Sequence, residues 1–400
     1  MAIIELVQTH PQLPLLALVL AAVLFAAHRQ LAHRRAAQHL PPGPPAHWLT
    51  GSPLPGPYAH LKWAEWTDLY GPVISVRKGS QITVIIGRVK EAVDIMEKEG
   101  ASLADRPKNI AAGEVLSGGM RTLLVPAGTR FRKLRKALHA RLSQKESVNY
   151  EPIQMENARN LVEDILEESG GPSGAREAVR RRAGAHDGVR QDDADAHPNH
   201  MHSDPQCAAE LAELSTAAAI SITVLAAAKY PAAQAKVHEE LELVLAGRAP
   251  TFADEDSLPQ LKAFVMETFR WRPVSVAGVA HRATKDIAYG AYVIPAGASV
   301  RWLTSEGALR ADLRSYPFGF GRRICPGQHL ADGSVYITTA LTLWAFSIAE
   351  VAAAPIDVMA FTDTMNTHPL PFQVAFAPRQ GSGSAEGVRE GLVGHVPEGL

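Results

Sequence analysis

The chain has 400 residues, 46% of them apolar, and a formal net charge of -1. That much apolar material can bury a large core, and the balanced charge leaves no basic surplus to hold nucleic acid. Two cysteines, Cys207 and Cys325, are too few for a disulfide framework; this excludes a stapled secreted scaffold and leaves a liganding role open for a thiol.

The first 40 residues read as a membrane anchor and linker. Residues 13–27 (LPLLALVLAAVLFAA) carry no charge; Glu5 precedes them, and Arg29, Arg34 and Arg35 follow. This core is short for a span of about 20 residues, although residues 3–7 extend it. A cleaved signal peptide has an apolar stretch of this size but places its positive charge before it. The anchor reading therefore leads, and the arginines on its C-terminal side keep the remainder cytosolic. PPGPP at 41–45 reads as a stiff spacer at the head of a domain spanning 41–378.

Residues 70–87 (YGPVISVRKGSQITVIIG) predict a two-stranded hairpin, and residues 88–100 a helix ended by glycine. Residues 130–142 (RFRKLRKALHARL) and 154–168 predict amphipathic helices, the first strongly basic on one side. Residues 171–206 then carry almost nothing apolar larger than alanine, a composition that cannot repay its ordering entropy and predicts disorder. His197, His200 and His202 near its end have no carboxylate or thiolate fixed beside them, so they read as part of that composition rather than as a metal site. Helical character returns over 215–247 and 257–273, short strands surround a turn at 289–300, and an apolar helix follows Cys325. From Arg379 to residue 400 the Gly/Ser-rich tail predicts disorder.

The chemistry concentrates in FGFGRRICPG, residues 318–327. Paired arginines, turn-forming glycines and a following helix N-terminus all lower the pKa of a thiol, so Cys325 is poised as a ligand. Gly321 and Gly327 let backbone amides approach the sulfur, and Phe318 and Phe320 supply apolar cover. Zinc is disfavoured because no second cysteine or histidine has finger spacing, which leaves haem.

This loop resembles the haem-binding loop of the cytochrome P450 monooxygenases, with Phe318, Gly321, Arg323, Cys325 and Gly327 in register. The resemblance implies a mainly α fold with a small β-sheet region behind an N-terminal transmembrane helix. It implies haem b with Cys325 as axial iron ligand and Arg323 paired with a propionate. Glu267 and Arg270 in ETFR resemble the family's Glu-x-x-Arg pair, which with a third residue, Arg301 of RWL, would brace the proximal core. By the same resemblance His281 and Arg135 contact propionates, and Phe131 stands where the family often has a Trp. Further implications are an NADPH-dependent reductase as electron donor, a small apolar substrate, and an endoplasmic reticulum membrane location with the catalytic domain cytosolic. A place in fungal secondary metabolism rests on resemblance alone.

Three departures stand against full activity. Where the family has an acid beside an alcohol on its distal helix, this chain has Leu214 beside Ser215 and Thr216; Glu213 is one residue off, about 100° round the helix. Ser215 and Thr216 are the catalytic candidates, with an ordinary helical role as the alternative. Val300 runs straight into Arg301, a join that reads as a deletion, and residues 171–206 stand in place of the helices roofing the substrate pocket. The leading function is haem-thiolate monooxygenation. A truncated remnant binding haem weakly or not at all, and a peroxide-using haem-thiolate enzyme, are the alternatives.

Residues 190–196 (RQDDADA) admit codons that, read one base onward, give Gly-Lys-Thr-Thr-Pro-Thr, a string similar to fungal members of the family. The segment therefore reads as a shifted frame. Transcript sequencing checks this: a mis-joined message is expected, and an in-frame message encoding 171–206 as written overturns it.

Overall fold

The computed structural model describes residues 39–168, 205–302, 316–379 and 384–393, apart from 48, 54, 120 and 365, together with 18–21 and 23–24; for 168, 205–214, 316 and 393 it describes the helical backbone alone. Most of the expected anchor thus lies outside the described residues. Among them no single helix is long and apolar enough to cross a membrane.

The predicted hairpin forms as β1 (Val73–Lys78) and β2 (Gln81–Ile86), antiparallel with Ile74 opposite Ile85. The two-residue period of a strand sorts its side chains into two layers. Ile74, Val76 and Ile85 pack on Trp66 of helix α1 (Ala59–Tyr70). Val73, Val84 and Ile86 pack with Ile95, Met96 and Leu103. The sheet has the order β1-β2-β6-β3, with β3 (His281–Arg282) antiparallel to β6 (Ser299–Trp302) and β6 parallel to β2. The strands expected around the turn at 289–300 form the separate pair β4 (Ile287–Tyr289) and β5 (Tyr292–Ile294).

PPGPP is a docked strap rather than a free spacer. The Ser75 hydroxyl donates to the Pro41 carbonyl at 2.7 Å, and the Ser75 amide to the Pro42 carbonyl at 2.8 Å. An extended proline-rich backbone makes no internal hydrogen bonds, so its carbonyls are free to pair with a sheet edge. Only glycine fits at 43, where a Cβ would lie 2.1 Å from the Ser75 carbonyl oxygen.

The larger layer is helical: α2 (Thr129–Leu142), α3 (Glu151–Glu168), α4 (Pro205–Lys229), α5 (Pro231–Leu245), α6 (Pro259–Trp271) and α7 (Gln328–Ala345). The 215–247 stretch breaks in two, with α4 and α5 meeting at 102°. Pro231 has no N–H to continue α4 and drives Tyr230 out of helical geometry. Every residue of α7 from Val335 to Ala345 is buried, and α3, α4, α5 and α6 surround it. β7 (Phe346–Glu350) and β8 (Val374–Pro378) close the layer as an antiparallel pair.

One expectation of disorder is corrected at the tail, and the other falls almost wholly outside the described residues. Residues 171–204 lie outside the described residues, but Pro205 and Gln206 open α4. The tail beyond Arg379 contains a helix, α8 (Ala385–Val393), because Val388 and Leu392 share one helical face and reach the apolar core.

Buried Gln234 joins α4, α5 and β7. Its amide nitrogen donates to the carbonyls of Ala227 (2.9 Å) and Ile348 (2.8 Å), and its oxygen accepts from the Ile348 amide at 2.7 Å. Gln234→Leu leaves those backbone groups unpaired in the core. It is expected to cost about 1–3 kcal/mol, read as a lower urea midpoint.

Candidate active site

The loop before α7 is built by two close backbone approaches. Gly319 and Gly321 take φ of 86° and 58°, which favour glycine, and a Cβ on Gly321 would lie 2.7 Å from the Met96 carbonyl oxygen. The Cys325 amide then donates to the Phe318 carbonyl at 2.8 Å, turning the chain so that Cys325 stands two residues before the helix cap Gly327. Burial pushes the Cys325 thiol pKa up, while the Gly327 N–H and the Arg135 guanidinium pull it down; Asp332 acts in the opposite sense. The Gly321 amide donates instead to the Glu97 carboxylate at 3.2 Å, and Gly321 makes the tight contact with Met96.

The two phenylalanines of the loop anchor it from behind. Phe318 meets Phe269 of α6 edge to face at 5.7 Å between centroids, and Phe320 meets Trp302 of β6 at 5.0 Å. Their apolar cover comes from packing the loop onto α6 and the sheet.

Arg323 is buried and turned toward the chain. It donates from Nε to the Ala104 carbonyl (2.7 Å) and from its two terminal nitrogens to the carbonyls of Thr122 (3.1 Å) and Val125 (2.7 Å). Its guanidinium carbon stands 3.6 Å from the centroid of the Phe131 ring. Phe131 therefore serves as a cation–π platform where the family's Trp would offer an N–H. One turn further along α2, Arg135 comes close enough to Cys325 for each to influence the other's ionisation.

His281 is buried in β3, with Nδ1 2.6 Å from the Leu103 carbonyl oxygen. A carbonyl only accepts, so Nδ1 carries the proton and Nε2 is bare in the neutral ring. Burial, with Arg106, Arg323 and Arg301 nearby, holds the imidazole pKa down at about 3. Arg106 was not singled out from the sequence. It is buried, donating from Nε to Leu123 and from one terminal nitrogen to the carbonyls of Val279 (2.7 Å) and Ala280 (2.9 Å). Burial and its cationic neighbours lower its pKa to about 9; burial lowers that of Arg323 to about 10. The signal that could have found Arg106 is an arginine fixed by a following proline in ADRPKN.

Buried Arg106, Arg323 and His281, with half-buried Arg135 and Arg301, thus form one basic group beside a thiol. Asp105, which accepts from the Ala127 amide at 2.7 Å, is the carboxylate that opposes the shift in Arg106 and Arg323. Burying this much like charge is unfavourable without an anion to balance it. A group with two carboxylates and a thiolate-seeking metal supplies that balance, and haem is such a group. The residues fit it.

Arg301 is a correction to the expected trio. Glu267 and Arg270 form a two-pronged ion pair, at 2.7 and 2.5 Å. Arg301 makes no ion pair with Glu267. It sits in β6 in register with Ile85, donates to the Gly278 carbonyl at 3.4 Å and lies 6.0 Å from the Trp63 ring centroid. With no residues between Val300 and Arg301, the strand carries the arginine along the sheet and into the basic group. Ser215 and Thr216 are half-buried on α4, one turn ahead of Ala219, which packs on Val265 of α6 and Val335 of α7. The side chains of Glu213 and Leu214, and the histidines at 197, 200 and 202, lie outside the described residues. Among the described residues no set of three or more His, Cys, Asp or Glu is placed to hold a metal ion.

A family model described as Cytochrome P450 matches residues 41–181, 215–301 and 298–376. Cytochrome P450 monooxygenases 88 and 64 of Postia placenta are each 38% identical to the chain over 87% of its length and 92% of their own. The first of these alignments runs over 464 positions, more than the 400 residues of this chain, so that relative has segments with no counterpart here. Among solved structures, a zebra fish cytochrome P450 with abiraterone superposes with a TM-score of 0.68 at 19% identity, over 80% of this chain and all of that one. That likeness shows the fold, mainly helical with small sheets.

The unfolded His281 imidazole titrates near 6.5 and the folded one near 3. Between those values the unfolded state binds the extra proton, so stability present above pH 6.5 is lost as pH falls toward 3. His281→Gln is expected to flatten the apoprotein's urea-midpoint profile between pH 6 and 4, by up to about 1.4 kcal/mol per pH unit.

Proposed function

The chain belongs to the cytochrome P450 family, whose matched relatives are monooxygenases, and we propose that it is a haem-thiolate monooxygenase with Cys325 as the axial ligand. The observation that carries this reading is the buried basic group beside the single described thiol, Cys325. Arg106, Arg135, Arg323 and His281 would hold the two propionates of haem b. The Gly327 N–H and Arg135 favour the thiolate over the thiol, against the burial that opposes it. Bound haem supplies the oxygen chemistry by which one atom of O2 enters a C–H bond. To donate to a carboxylate from Nε2 while Nδ1 donates to Leu103, His281 must take up a proton.

Electrons come from an NADPH-dependent reductase. Exposed Arg130, Arg132, Lys133, Lys136 and Arg141 on α2 have no acidic residue among them, a surface complementary to an acidic partner. Ser215 and Thr216 supply the hydroxyls for proton delivery, without a carboxylate at the adjoining position. The substrate is a small apolar molecule, and the anchor at 1–40 holds the domain on the cytosolic face of the endoplasmic reticulum. Secondary metabolism is the setting consistent with the fungal relatives.

The displacement of Arg301 from Glu267 and Arg270, with the segments missing relative to the fungal proteins, favours a second reading: a remnant that holds haem weakly. Reduction and carbon monoxide binding of the haem-supplied chain separates the two. The monooxygenase reading expects a Soret band at the wavelength that names the family, lost in Cys325→Ser. A band at shorter wavelength, or none, makes the remnant reading the correct one. Turnover with peroxide but not with reductase and NADPH points to the peroxide-using alternative.

A further inference from the structure

The C-terminal helix has no place in the chemistry above, and it lies beyond residue 376, where the family match ends. Its sequence, AEGVREGLV, places Ala385, Val388 and Leu392 on one face and exposes Glu386, Arg389 and Glu390 on the other. Val388 is 0% exposed and Leu392 4%, values of a core residue rather than of a fraying terminus. Both join the apolar cluster of α3 and α7 that contains Ile165, Leu166 and Trp344.

The contact is shaped on both sides. Gly391 lies so close to Trp344 that a Cβ would come 2.7 Å from the indole ring. Trp344 is itself fixed, 1% exposed, with its ring N–H donating to the Gly247 carbonyl at 3.3 Å. The chain is also delivered to this spot. The Arg379 amide donates to the Ala345 carbonyl at 2.8 Å, and its side chain to the Leu343 carbonyl at 3.0 Å, so β8 ends on the last turn of α7. From Arg379 to Ser384 the chain can reach at most roughly 17 Å, which keeps α8 over the end of α7. At the start of α8 the Gly387 amide donates to the Ser384 hydroxyl at 3.2 Å.

We infer that α8 is an internal ligand: the apolar face formed by α3 and the end of α7 is a docking surface whose occupant is residues 384–393 of the same chain, seated against Trp344. A nine-residue helix is too short to persist alone in water, so its helicity is a readout of docking. The short tether makes the intramolecular partner outcompete other copies at ordinary concentrations. The inference does not depend on haem binding or turnover.

The test is amide exchange on the full chain. Protection of amides 387–392 more than about tenfold over the free peptide is expected, independent of protein concentration. Exchange as fast as in the peptide overturns the inference, and protection that disappears on dilution assigns the surface to a second copy instead. Val388→Asp with Leu392→Asp is expected to abolish that protection, expose the tail to protease and lower Tm by more than about 5 °C, whereas Arg389→Glu on the exposed side leaves all three unchanged. If the double variant does not fold, wild-type exchange alone decides.

Discussion

A helix buried on every side has to be surrounded, and α7 is such a helix from Val335 to Ala345. Four helices, the β7–β8 pair and the C-terminal helix all pack toward it. The same helix begins three residues after Cys325, so burial of its apolar length fixes the position of the thiol at its start.

Set against this apolar column is a group of charges that the fold buries at a cost. Arg106 comes from the segment that follows the helical residues 89–97, Arg135 from α2, His281 and Arg301 from adjacent strands, and Arg323 from the cysteine loop. Backbone carbonyls satisfy many of their N–H groups, which meets the hydrogen-bonding requirement but leaves the net charge. Burial depresses the pKa of all five bases, and neighbouring positive charge adds to that at Arg106, Arg323 and His281. Such perturbation gathers where an anionic ligand completes the site. It also explains why His281 is neutral here: an imidazolium would be a further positive charge in a buried group already rich in them.

Strand pairing decides where Arg301 goes: β6 pairs with β2 and carries the side chain to Trp63 rather than to Glu267 and Arg270. Glu267 and Arg270 keep each other, since a pair three residues apart on one helix needs no distant partner.

The cysteine loop, the hairpin and the amphipathic helices were legible in the sequence because each depends on neighbours within a dozen residues: glycine freedom, alternation, helical spacing. The family followed from ten consecutive residues and a few motifs in order. Composition misled at the tail, where glycines and serines concealed nine residues with an apolar face, and at PPGPP, where stiffness was visible but the sheet edge it joins was not. Arg106 and Asp105 escaped notice because they lie some two hundred residues from the cysteine loop, and only the tertiary structure brings them beside Arg323. The sequence by itself determined which chemistry the chain carries, since the nucleus of the site is contiguous. The tertiary structure alone decided which charges surround it and where Arg301 goes, because burial and strand pairing join segments that no local pattern relates.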